Sequence, residues 1–85
     1  MAYAIEFAPS AEREFRKLAR DIQRRLRPRV DALADNPRPP GSRKLKAPVD
    51  LWRIRIGDYR VVYEIRDRIL VVLLVRVAHR REVSR

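Results

Sequence analysis

These 85 residues predict an α+β fold of order β-α-α-β-β-β, a helix hairpin packed on one face of a four-stranded, mostly antiparallel sheet. Three observations carry it. Apolar residues recur at helical spacing early in the chain, alternate with arginines in the middle, and run unbroken from Ile69 to Val75. An unbroken apolar run suits a strand covered on both faces, so that strand belongs inside its sheet. The length suits a single domain, residues 1–85, with a thin core.

Tyr3 to Phe7 reads as a short first strand. Pro9-Ser10 closes it, with Ser10 as the expected N-cap and Glu12 and Glu14 near the positive end of the helix dipole. Ala11, Phe15, Leu18, Ile22 and Leu26 form an amphipathic stripe. Asp21 could cap a second helix that Ile22, Leu26, Val30 and Leu33 carry to about Ala34, giving two antiparallel helices. Pro28 conflicts with a straight second helix, because an interior proline removes a backbone hydrogen bond at a cost of roughly 3 kcal/mol. A kink there is expected, rather than a start near Arg27. Asn36-Pro37-Arg38-Pro39-Pro40-Gly41 then forms a loop. After the basic segment Arg43-Lys44-Leu45-Lys46, three strands follow: Leu51 to Ile56, Tyr59 to Ile65, and Ile69 to about His79.

The stretch from Trp52 to Glu64 is the most informative. Alternation in Arg53-Ile54-Arg55-Ile56 sends two guanidinium groups to one side and two branched apolar chains to the other. Gly57-Asp58 suits a two-residue II′ turn, which pairs Ile56 with Tyr59 and Arg55 with Arg60. Two like charges facing each other cost a few tenths of a kcal/mol or more unless an anion lies between them, and with Arg53 nearby that anion is a phosphate. A three-residue turn, Arg66 to Arg68, would group Tyr59, Val61, Tyr63 and Ile65 with Ile69, Val71, Leu73 and Val75, leaving Arg60, Arg76 and Arg80 together on the other face. Trp52, Tyr59 and Tyr63 then pack in the core. His79 shares their parity at the end of its strand, where a structural role and a chemical role both stand open. Lys44 and Lys46 lie beside the hairpin and are expected to touch phosphate. Arg13, Arg16, Lys17, Arg20, Arg24 and Arg25, interspersed with Glu12, Glu14 and Asp21, read as a solvated helix face.

Composition limits the chemistry. Twenty-one Lys+Arg against 11 Asp+Glu give a net charge of +10, a field that attracts polyanions or an acidic protein. Without cysteine there is no disulfide, thiolate nucleophile or cysteine-based zinc site, and with one histidine no protein-held metal is expected. No cofactor is implied. The N-terminus lacks the pattern of a signal peptide, and no apolar run approaches the ~20 residues that span a bilayer, so a cytoplasmic, soluble protein with no membrane association is expected.

The basic Arg43-Lys44-Leu45-Lys46 segment, the stretch Leu51-Trp52-Arg53-Ile54-Arg55-Ile56-Gly57-Asp58-Tyr59-Arg60-Val61-Val62-Tyr63-Glu64 and the ending Val77-Ala78-His79-Arg80-Arg81-Glu82-Val83 together resemble the RelE/ParE toxin superfamily. The resemblance runs over nearly the whole chain, helix hairpin included. It implies a toxin of a type II toxin-antitoxin pair with a fold similar to microbial ribonucleases and a cognate antitoxin as partner. RelE-like members cut messenger RNA in the ribosomal A site, whereas ParE-like members act on DNA gyrase. The RelE pattern places phosphate-binding and catalytic side chains on the strand matched here by Arg53 and Arg55, at the Gly-x-Tyr-Arg arginine matched by Arg60, and after the last strand, matched by Arg80. The family's closing tyrosine is replaced by Ser84, and the glycine before its histidine-arginine pair by Ala78.

Metal-free RNA cleavage needs the 2′-hydroxyl deprotonated, the charged transition state stabilised and the leaving oxygen protonated. Arginine suits the second task and not the first, because its pKa lies above about 12. His79 is the expected proton-transfer group, ahead of Glu64 and Glu82. Ser84 cannot act as an acid in place of tyrosine. Lys44, Lys46, Arg43, Arg76 and Arg81 are expected to bind RNA. The leading expectation is a ribosome-dependent mRNA endoribonuclease, the alternatives a ParE-like gyrase inhibitor or an inactive nucleic-acid-binding or antitoxin-binding relative.

Overall fold

The computed structural model describes residues 2–79. A single five-stranded sheet, ordered β1-β5-β4-β3-β2, is built from β1 (Ala4–Phe7), β2 (Arg43–Lys44), β3 (Leu51–Ile56), β4 (Tyr59–Arg66) and β5 (Val71–His79). β1 runs parallel to β5 and the other neighbours are antiparallel. Helices α1 (Pro9–Arg16) and α2 (Arg20–Asp31) follow β1, and a 3₁₀ turn, Ala32–Ala34, extends α2. The fold class is the expected one, and the apolar β5 lies inside the sheet between β1 and β4. The additional strand is β2. Its two residues are too few to show alternation in the sequence, and only pairing with Arg53 and Trp52 makes them a strand.

The helices differ in detail from expectation. Ala8 is the N-cap of α1 and Pro9 takes its first turn, where a missing N–H costs nothing; Ser10 lies inside the helix and its hydroxyl donates to the Val75 carbonyl at 3.3 Å. Lys17-Leu18-Ala19 breaks the chain between the helices, and α2 starts at Arg20 and runs through Pro28. Arg24, whose carbonyl loses its partner at Pro28, is exposed, so water can take that bond.

Both helices cover one face of the sheet. Ala11, Phe15, Leu26, Val30 and Leu33 pack there against Ile54, Ile56, Val61, Tyr63, Ile65, Val72, Leu74 and Val77, with Trp52 and Tyr59 partly buried beside them. The β4–β5 turn uses four residues, Asp67 to Leu70, so Arg66 faces Val71 and the helix-facing residues of early β5 are Val72 and Leu74. Val71, Leu73 and Val75 were expected there. Ile69 is 63% exposed in that turn, and Leu70 takes φ 55°. A register shift between Val62 and Tyr63 then brings Val62 opposite Arg76, Arg60 opposite Ala78 and Tyr59 opposite His79. One added residue cancels the parity error of the turn.

The loop after the helices is tied down by Arg38. Its guanidinium bonds Asp50 at 2.7 Å and Asp67 at 3.0 Å and lies 5.4 Å from the centre of the Trp52 ring. The Trp52 indole donates to Asp50 at 2.7 Å, and the Tyr3 hydroxyl donates to Asp67. The buried Tyr63 hydroxyl donates to the Pro37 carbonyl at 2.7 Å, and burial pushes its pKa up to about 12. This network holds the segment that leads into β2.

Candidate phosphate-binding site

The β3–β4 hairpin folds as its sequence dictates. Gly57 takes φ +60° while Asp58 keeps a negative φ, the pattern of a II′ turn, and Ile56 faces Tyr59 with Arg55 facing Arg60. Antiparallel alternation puts Arg53, Arg55 and Arg60 on the face away from the helices. β2 contributes a fourth cation there, since Arg43 stands directly opposite Arg53. Two arginine pairs therefore face each other across two adjacent strand junctions.

The electrostatics of this group are one-sided. Partial burial, reinforced by the positive charges of Arg60, Arg55 and Arg43, lowers the Arg53 pKa below the ordinary arginine value. Among the described residues no carboxylate forms an ion pair with any of the four. Arg60 Nε is buried and has no hydrogen-bond partner among them. A buried donor left unmatched costs about 1–3 kcal/mol, and a phosphate oxygen placed among these groups would accept from it. Arg55, Gly57, Asp58, Tyr59 and Arg60 line a polar cavity of about 100 Å³ at this point.

The other residues read from the sequence fall in different places. Arg76 has the register of the arginine face, but its Nε bonds Glu14 at 3.3 Å, and the same carboxylate accepts from the Val77 N–H at 2.7 Å. Lys44 stands opposite Trp52, on the helix-facing side, and reaches Asp50 at 3.7 Å. Lys46 is exposed in the loop beyond β2. His79 lies edge-on to Tyr59, ring centres 5.3 Å apart, and lines cavities on the helix side with Ile22, Leu26 and Leu18. Its register pairs it with Tyr59, the parity expected from the sequence. Arg80 and Arg81, with Glu82 and Ser84, lie outside the described residues. Arg38 was missed, because nothing in a proline-rich loop marks one arginine as the partner of two distant aspartates.

Among the described residues no group of His, Asp or Glu could hold a metal ion, and no helix is long and apolar enough to cross a membrane.

Residues 5–84 match the family model described as ParE toxin of type II toxin-antitoxin system, parDE. The chain belongs to the RelE/ParE toxin superfamily. A RelE-like toxin protein of Escherichia coli is 32% identical over 82 residues, covering 94% of this chain and 85% of that protein. The mRNA interferase toxin RelE of Escherichia coli K12 is 30% identical over the same coverage. The crystal structure of the intact E. coli RelBE toxin-antitoxin complex contains a chain 29% identical, with a TM-score of 0.81, covering 92% of this chain and 96% of that one. The protein is thus a toxin of the type II class with a RelE fold, and the arginine face lies on the hairpin that carried the sequence resemblance.

Proposed function

We propose that this toxin is a metal-independent endoribonuclease that cleaves messenger RNA on the ribosome, in the cytoplasm, and is neutralised by a cognate antitoxin. One observation carries the reading: Arg43, Arg53, Arg55 and Arg60 converge on one sheet face and, among the described residues, none of them forms an ion pair with a carboxylate. Relatives named as mRNA interferases and a neighbour seen in a toxin-antitoxin complex support it.

The cleavage is a transfer within RNA. The 2′-oxygen attacks the adjacent phosphorus, the bond to the 5′-oxygen breaks, and a 2′,3′-cyclic phosphate and a 5′-hydroxyl result. Charge builds on the non-bridging oxygens in the transition state, and fixed guanidinium donors stabilise it there more than in the ground state. Arg60 and Arg55 face each other across the site and act as the clamp, Arg53 adds charge behind them, and Arg43 holds the flanking phosphate; Arg80 would join them by sequence match. His79 stands against Tyr59 on the helix side, with its role in proton transfer a part of this proposal that His79→Ala in the same cleavage assay tests. General acid-base catalysis usually adds about 10²- to 10⁴-fold, so a site that works chiefly by charge is a slow one.

Incubation with programmed ribosomes tests this. Arg60→Ala is expected to lower the single-turnover cleavage rate about 100-fold or more, the loss typical of one transition-state donor. Absence of cleavage by the parent protein would refute the reading. A second reading, a ParE-like DNA gyrase inhibitor, is favoured by the description of the matched family model and by Ser84 at the place of the closing tyrosine. Loss of supercoiling in a gyrase assay, with RNA left intact, would select it.

A further inference from the structure

The two faces of the β2–β3 junction carry opposite electrostatics. On one face Arg43 stands opposite Arg53, close enough for its charge to help lower the Arg53 pKa. Like charges directly across a strand pair push the strands apart. β2 has two residues with which to resist this, and just beyond them the Leu45 N–H donates to the Leu51 carbonyl at 2.8 Å. A pairing so short does not hold its place by its ladder alone.

The attraction lies on the other face. Lys44 stands opposite Trp52 there, and its ammonium reaches the Asp50 carboxylate at 3.7 Å. The same carboxylate accepts from the Trp52 indole at 2.7 Å and from the Arg38 guanidinium at 2.7 Å, so it gathers side chains from β2, β3 and the proline-rich loop. Backbone fixes Asp50 in turn, since its carbonyl accepts from the Ile65 N–H of β4 at 2.9 Å. An exposed ion pair such as Lys44 with Asp50 counts for little by itself, largely because both side chains must be ordered to form it. Here the carboxylate is 28% exposed and already held by Trp52 and Arg38, so only the lysine remains to be ordered.

We infer that Asp50 is a positioning residue for the phosphate site: through Lys44 its carboxylate draws β2 onto β3 and so keeps Arg43 on the arginine face, while its own ion pairs among the described residues go to Arg38 and Lys44. This rests on the RNA reading above and names what completes the cluster. The field of the molecule predicts the opposite sign. Removing the Asp50 charge adds one unit to a net charge of +10 and strengthens the pull on any polyanion, whereas losing the position of Arg43 weakens RNA binding.

Binding of a short 2′-O-methyl oligonucleotide, which cannot be cleaved, is measured against salt for the parent, Arg43→Ala, Asp50→Asn and the double variant. Asparagine keeps an acceptor for the Trp52 indole and loses the charge that holds Lys44. Asp50→Asn is expected to weaken binding and to reduce the slope of log affinity on log salt by about 0.7, the share of one phosphate on a single strand, as Arg43→Ala does. The double variant is expected to match Arg43→Ala alone, because both changes remove the same contact. Amide exchange reads the docking of β2 without RNA: in Asp50→Asn the Leu45 N–H should exchange about tenfold faster while the β5 amides keep the parent rate. Lys44→Gln, at an exposed position, covers an Asp50→Asn protein that does not fold, and its slope loss should likewise merge with that of Arg43→Ala. Unchanged or tighter binding by Asp50→Asn, or additive losses in either double variant, overturns the positioning role while Arg60→Ala still lowers the slope. No binding by the parent, or a slope indifferent to Arg60→Ala, overturns the arginine reading and the positioning role with it.

Discussion

Single side chains decide the behaviour of this protein at the extremes of pH. The Tyr63 phenol, buried and bonded to the Pro37 carbonyl, is pushed up to about 12, whereas in the unfolded chain it ionises near 10. A raised folded pKa contributes stability that is complete below about pH 10 and lost as pH rises through 12. Tyr63→Phe is therefore expected to flatten the fall in melting temperature above pH 10, and to cost about 1 kcal/mol at neutrality for the lost hydrogen bond. At the acid end the sign reverses. The Asp67 carboxylate is held below its ordinary value by the hydrogen bond from Arg38 first and that from Tyr3 second, so its contribution is present above about pH 4 and lost as pH falls through its lower folded value. Asp67→Asn should leave a shallower acid limb in the same melting series.

The β3–β4 hairpin is the element most legible in the sequence, because its instructions are local. Alternation fixed the faces of Arg53 and Arg55, and the Gly57-Asp58 turn fixed the pairing of Arg55 with Arg60. What could not be read depends on partners far along the chain. Arg43 joins the cluster only because β2 docks on β3, and β2 is held there by a loop that Arg38 pins to Asp50 and Asp67. The four-residue turn at Asp67–Leu70 and the later register shift leave no composition signal, and their opposite effects on parity placed Arg76 on the expected face for an incomplete reason. Gly57→Ala tests the turn: φ +60° is strained for alanine and its β-carbon would stand 3.2 Å from Arg25, so a loss of about 1–2 kcal/mol in urea unfolding is expected.

Across the whole molecule, a net charge of +10 draws any polyanion, and the question is which cations do more than attract. Helix arginines such as Arg16 and Arg27 are paired with Glu12 and Asp31 within one turn of their own helix, at 2.8 Å and 3.1 Å, and remain well exposed. Arg43, Arg53, Arg55 and Arg60 have no such ion-pair partner among the described residues. Binding of single-stranded RNA should weaken linearly with log salt, and Arg60→Ala should reduce that slope by about 0.7, one phosphate contact, while Arg13→Ala on the helix face leaves it nearly unchanged.

The parallel pairing of β1 with β5 has a consequence for how the toxin is made. Ala4 can find its neighbour only when Val71 exists, and the helix hairpin between them has no completed surface to cover until then. A nascent chain therefore stays open through most of its synthesis. The β1–β5 ladder can close only once residue 74 has been made, which leaves the most non-local pairing of the sheet to the end.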